Sequence, residues 1–317
     1  MNIFTDFEPG NEESPWIPYW TIPLLHPPTV DTWYINNRNA SRPTLMRYVE
    51  LRNDIQGIIV WCTVSGIISI NTYTNTSNWR SSGDESRHLR DAVCIYFPLA
   101  KNENVVSAWV RELNDDTNIR CPALILSTSL QRTCTFGPYV ACEQQDKYQY
   151  HALVSDDNRV TGLCYNDKGI LSSEQMRIGV TQEKVQLQFA TQQPFHTTHT
   201  PPISPIPQWF QCSATMTEVN RIRLYTDNKK PQKPTVGMLL IYETREELLG
   251  QFGYDHDIED YELTGPVYYF SGNTQTGPCT KVVCNREMGE GWIKLPQNAE
   301  LVWWFRFDCS VLEIIEE

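Results

Sequence analysis

Short apolar runs arranged in pairs, each pair joined by a tight turn, recur along most of this chain and restrict it to stacked small sheets. The run 57–62 (Gly-Ile-Ile-Val-Trp-Cys) is followed by Ser65, Gly66 and the run 67–70; the run 92–97 is followed by a turn at 102–104 and the run 105–110. The pattern returns at 159–165 with a turn at 166–169, at 238–242 with a charged turn and 248–252, and at 267–270 with 281–284. Each pair reads as a hairpin, because β-branched and aromatic residues favour a pleated strand while Gly, Asn and Asp favour the turn. One small sheet cannot cover both of its own faces, so repeated hairpins imply neighbouring sheets stacked on one another. No segment has the periodicity of a long amphipathic helix.

The first ~30 residues carry Pro18, Pro23, Pro27 and Pro28 and are expected as an extended strap over residues 1–31, outside the internal strands. The body, 32–317, is expected as a single repeat domain, with the Pro/Thr/His-rich stretch 197–207 as a surface loop. A net charge of -12 and a pI near 5.0 argue against nucleic acid, whose binding draws on Lys and Arg neutralising phosphates. No apolar run is long enough to span a bilayer. Ten cysteines without a C-x-x-C pair fit disulfides better than zinc, and therefore an oxidising compartment. The sequons at Asn39 and Asn75 point the same way, as glycosylation sites of a secreted protein whose signal peptide has been removed.

A strand ending in adjacent aromatic residues, a short turn, another strand and then Gly289, Glu290, Gly291 and Trp292 make up the fullest of these repeats. That order resembles the fungal fucose-specific lectins and covers most of the chain after Thr32. The resemblance implies a six-bladed β-propeller. In those lectins an Arg on the second strand and a Glu on the third hold the sugar between blades, because a guanidinium fork and a carboxylate together satisfy several hydroxyls. Here the Arg positions fall on Ile59, Cys94, Thr161, Leu239 and near Pro266, and the Glu positions on Ile70, Ala108, Ser173, Gln251 and near Val282. The fucose site is therefore expected to be lost, and fucose and simple methyl glycosides are expected to bind the protein negligibly.

Signatures of nucleophilic, zinc-dependent or nucleotide-dependent catalysis are absent from the sequence. His196 and His199 lie three apart in a loop, and Asp255, His256, Asp257, Glu259 and Asp260 form an acidic cluster; both read as solvated surface rather than metal ligands. Trp61, Tyr96, Trp109, Tyr242, Tyr268 and Trp304 fall on expected strands and are candidate substrate-binding residues. With charged sugar ligands replaced by apolar ones, the chain also resembles the fungal hetero-Diels-Alderases of tropolonic sesquiterpene biosynthesis. That resemblance implies a cofactor-independent pericyclase joining a tropolone o-quinone methide to a humulene-type alkene. Such an enzyme works by positioning and by donors on the tropolone oxygens, and Arg223 and Gln251 are the candidates for that catalytic role. The alternative is a secreted carbohydrate-binding lectin or an interaction module with a changed ligand. A homodimer stays open on either reading.

Overall fold

The structure is a computed structural model that describes residues 18–20, 28–35, 44–74, 91–114, 122–155, 158–166, 176–184, 199–202, 208–253 and 256–315. It is all-β, as expected, with six sheets. In chain order the strands of the first part are β1 (Pro18–Trp20), β2 (Thr32–Ile35), β3 (Thr44–Glu50), β4 (Gly57–Thr63), β5 (Gly66–Tyr73), β6 (Val93–Pro98), β7 (Val105–Leu113), β8 (Ala123–Thr128), β9 (Thr133–Phe136), β10 (Tyr148–Ala152), β11 (Asn158–Asn166) and β12 (Arg177–Lys184). The second part holds β13 (Phe210–Thr215), β14 (Arg221–Thr226), β15 (Thr235–Ile241), β16 (Glu246–Gly250), β17 (Asp257–Glu262), β18 (Val267–Asn273), β19 (Pro278–Cys284), β20 (Ile293–Lys294), β21 (Glu300–Phe305) and β22 (Ser310–Ile315).

The strands close into two units of three sheets. In the first unit the sheets are ordered β1-β3-β11-β12-β2, β5-β4-β6 and β10-β7-β8-β9; in the second, β13-β21-β22, β16-β15-β14-β17 and β19-β18-β20. An early strand returns to the last hairpin of each unit: β3 pairs with β11 (Val49↔Leu163), and β13 pairs with β21 (Cys212↔Trp303). Two of the sheets, β10-β7-β8-β9 and β16-β15-β14-β17, have the Greek-key order, with the fourth strand beside the first. Within each unit every sheet touches the other two, through β3 on β5, β5 on β8 and β11 on β7, and through β13 on β16, β15 on β19 and β19 on β22. The main contact between sheets of different units is β16 on β6.

A ring of six blades, which the lectin resemblance implies, is not shown by these contacts. In a ring each sheet would pack mainly on its two neighbours in sequence, whereas here the strong contacts form two triangles joined along one side. The six-fold repetition itself is real. The residue that leaves each sheet is apolar and donates its N–H to the strand just paired: Leu51 to Thr161, Leu99 to Gln56, Leu153 to Ala108, Met216 to Ala299, Leu263 to Asn220 and Leu295 to Val267, all at 2.8 to 2.9 Å. All six side chains belong to or pack against one apolar cluster that fills the interiors of both units. Apolar side chains placed there drive the exit turn inward, because burying them removes apolar surface from water.

Two other expectations change. Within the proline-rich N-terminal stretch, Pro18–Trp20 forms β1, a parallel edge strand beside β3, a place where a strand can begin with proline. None of the nine described cysteines forms a disulfide, which corrects the expectation of disulfides. Cys62 and Cys284 belong to the interior cluster and Cys134 and Cys212 pack against it, as small apolar groups do. Cys121, Ser173 and the sequon residues Asn39 and Asn75 lie outside the described residues. Among the described residues no helix is long and apolar enough to cross a membrane.

Candidate functional site

Strand alternation explains how the two units meet. On β4, Ile58, Val60 and Cys62 face the interior cluster, while Ile59 and Trp61 face outward; on β6, Val93, Ile95 and Phe97 face in and Cys94 and Tyr96 out. The same alternation on β15 sends Met238 and Leu240 in and Leu239 and Ile241 out. Both sets of outward residues join Tyr225, Leu248 and Phe252 in a second apolar cluster, which is the joint between the units. These strands read as continuous apolar runs because both of their faces are covered. Three positions where the lectin resemblance would place arginines, Ile59, Cys94 and Leu239, are therefore apolar for a packing reason.

A cleft of about 670 Å³ opens beside this joint. One wall is the β6–β7 connection, with Leu99, Ala100 and Lys101, together with Gln56; the other is the β15–β16 hairpin, from Tyr242 to Glu246. Phe252 is the hub of its aromatic lining, with ring centroids 4.9 Å from Tyr96, 5.5 Å from Tyr225 and 6.4 Å from Tyr73. Two glycines make this approach feasible. Gly250, at φ +82°, turns the chain out of β16 in a conformation that side chains rarely adopt, and the Phe252 N–H then reaches Cys94 O across the joint at 2.8 Å. A Cβ on Gly57 would stand 2.4 Å from Tyr96 Cε2, so the ring can lie over β4 only where no side chain intervenes.

Polar groups line the same cleft. Arg223 on β14 is clamped by its cross-strand partner Asp260, Nε to Oδ1 at 2.8 Å and Nη2 to Oδ2 at 3.1 Å. That bond holds the guanidinium proton even more firmly than usual. Burial pushes the Glu246 carboxyl above its ordinary range, an effect that Arg223 and Arg221 partly offset. Burial likewise raises the hydroxyls of Tyr96 and Tyr225, with Glu246 adding to both and Arg223 opposing. Both tyrosines are thus neutral at physiological pH; Tyr96 donates its proton to Gln56 O at 3.0 Å. Among the described residues, no three His, Cys, Asp or Glu side chains converge as a metal site requires.

The structure brings three of the expected site residues together in this cleft: Arg223, Tyr96 and Tyr242. Tyr242 stands at its edge, with its hydroxyl donated to Thr215 O at 2.5 Å and Arg245 over its ring at 4.3 Å. Trp61 packs against the joint. The rest lie elsewhere. Gln251 gives its side-chain amide to Arg306 O at 2.6 Å, and Trp109 is tied to Ser107 Oγ at 2.6 Å. Tyr268 donates to Glu287 at the surface, and Trp304 is fully buried with its indole N–H on Glu313 at 2.8 Å. The cleft residues that were not anticipated include Tyr73, Tyr225, Glu246 and Phe252. For Phe252 a signal exists, an aromatic residue between Gly250 and Gly253 at the end of a strand.

Compared with known proteins, the chain matches no family model and no curated protein sequence.

Proposed function

We propose that the protein is a binding module whose inter-unit cleft takes a small, oxygen-rich ring compound, with a pyranose sugar as the closest chemical match. The observation that carries this is the placement of Arg223 and Glu246 beside the ring cluster of Phe252, Tyr96, Tyr225 and Tyr73. The partly exposed rings of Phe252 and Tyr73, backed by the buried Tyr96 and Tyr225, can pack against the apolar C–H face of such a ring, while a guanidinium and a carboxyl meet its hydroxyls. The volume of about 670 Å³ falls within the range of roughly 300–1,000 Å³ usual for small-molecule sites. Lys101, Glu243 and Arg245 add charge to the walls, which suits a hydroxylated ligand better than an all-hydrocarbon sesquiterpene. This proposal departs from the expectation that simple glycosides bind negligibly, which rests on the lectin-aligned positions, whereas this cleft is built largely from other residues.

Calorimetry with a panel of methyl glycosides tests the proposal. At least one glycoside is expected to bind in the millimolar range or tighter, and both Phe252→Leu and Glu246→Gln to weaken it by roughly tenfold or more, the loss of about 1.4 kcal/mol of contact. A panel without a binder, or a binder indifferent to both substitutions, would sink it. The pericyclase is the second reading, favoured by the clamped Arg223 donor among aromatic faces. Its mark is a single stereochemical product from a hydroxymethyl tropolone and humulene, against a mixture without protein.

A further inference from the structure

One buried ion pair reaches both walls of this cleft. Glu103, whose side chain has no exposed surface, accepts from Arg132 Nη2 at 2.5 Å through Oε2 and from Arg132 Nε at 2.9 Å through Oε1. It also takes the Thr128 hydroxyl and, at 2.7 Å, the Ala100 N–H. Burial pushes the Glu103 carboxyl up, but the bonds from Arg132, Thr128 and Ala100 outweigh it and hold the group below the ordinary carboxylate range. Arg132 then reaches further: Nη2 donates to Pro98 O at 2.5 Å, and Nη1 crosses to the second unit to donate to Glu246 O at 2.9 Å. Its guanidinium also lies 5.1 Å from the centre of the Phe97 ring. Pro98 and Ala100 flank the turn that forms one wall, and Glu246 belongs to the other.

We infer that Arg132, oriented by Glu103, is a positioning residue that sets the spacing between the two cleft walls and so tunes what the cleft binds. A planar guanidinium suits this task because its donors are fixed in one plane, so three acceptors on two units are held in register at once. A lysine ammonium, a point charge on a flexible stem, cannot hold all of them in that plane. This inference rests on the cleft being a ligand site, but its mechanical half is measurable without any ligand.

Amide hydrogen exchange supplies that measurement. The peptide carrying Phe252, whose N–H bonds to Cys94 O across the joint, is expected to exchange at least tenfold faster in Arg132→Met. The peptide covering β8 should change less than about twofold, and Arg132→Lys should fall between wild type and Arg132→Met. Should the single variant strand the buried carboxylate and fail to fold, the pair Arg132→Met with Glu103→Leu removes both charges and carries the same expectation. Unchanged exchange at Phe252, or an equal rise in β8, overturns the inference. A methyl glycoside that binds the wild type should bind the variant at least fivefold more weakly; unchanged affinity also overturns it. If no glycoside binds the wild type, the reading of the cleft fails, while the exchange result still decides whether Arg132 fixes the joint.

Discussion

Replacing Cys94 by arginine is expected to lower stability by roughly 3–5 kcal/mol, read as a fall in the urea midpoint, because it puts a charge into a buried joint with no partner. Cys94 is 2% exposed and lies on the outward face of β6, among Ile59, Tyr96, Leu239 and Leu248. The position is informative because the lectin resemblance would place a sugar-binding arginine there. If the chain closed as a ring of blades with its lectin sites emptied, Cys94→Arg would point into a vestigial pocket, would be tolerated, and would move the protein toward fucose binding. In two units joined face to face, it drives β6 and β16 apart. Cys94→Ala is the control, expected to cost only about 1 kcal/mol for a small deleted group. A well-folded Cys94→Arg protein with measurable fucose affinity would restore the ring.

What could be read from the sequence was local. Alternation and turn residues place β4 with β5, β11 and β15 with β16 near their observed positions, and they establish the all-β class. Closure could not be read in this way. The pairing of Val49 with Leu163 and of Cys212 with Trp303 joins segments far apart in the chain, and nothing in a hairpin says which distant strand will return to complete its sheet. Six similar repeats fit one ring of six or two rings of three equally well. The apolar character of Ile59, Cys94 and Leu239 was legible too, but not its cause. A residue that has lost a sugar and a residue that faces another sheet are both simply apolar.

The candidate site shows the same division. Tyr96 and Arg223 sit on strands with strong periodicity and Tyr242 directly follows β15, so they could be named from sequence. Phe252 and Glu246 could not be given a role, because Phe252 acts only after the chain turns out of β16 at Gly250, and Glu246 starts that strand from what reads as a charged turn. Their meeting with Tyr96 depends on how the two units are set against each other. That setting is carried by Arg132 and Glu103, two charged residues that no pattern of strands distinguishes from solvated surface.

The cysteines give the last large expected effect. In denaturant without reductant, at least nine of the ten thiols are expected to react with a chromogenic disulfide reagent, since none of the nine described cysteines forms a disulfide. Among the nine described cysteines of the native protein, only Cys142, exposed at the start of the short 3-10 helix Cys142–Lys147, is expected to react quickly. The others are protected twice. Their side chains are enclosed by strands, and burial raises the thiols of Cys62, Cys134 and Cys164 and pushes those of Cys212, Cys284 and Cys309 up to about 12, which suppresses the reactive thiolate at neutral pH. Raised thiol pKa values also fix the sign of the pH response. The buried thiols are neutral when folded, so the stability they confer is complete below the ordinary thiol value of 9.0 and declines as the pH rises above it, where the unfolded chain can ionise. Alkaline solution should therefore unfold the protein and release the slow thiols together. A denatured titration that finds only one or two thiols would overturn this account and return the cysteines to disulfides.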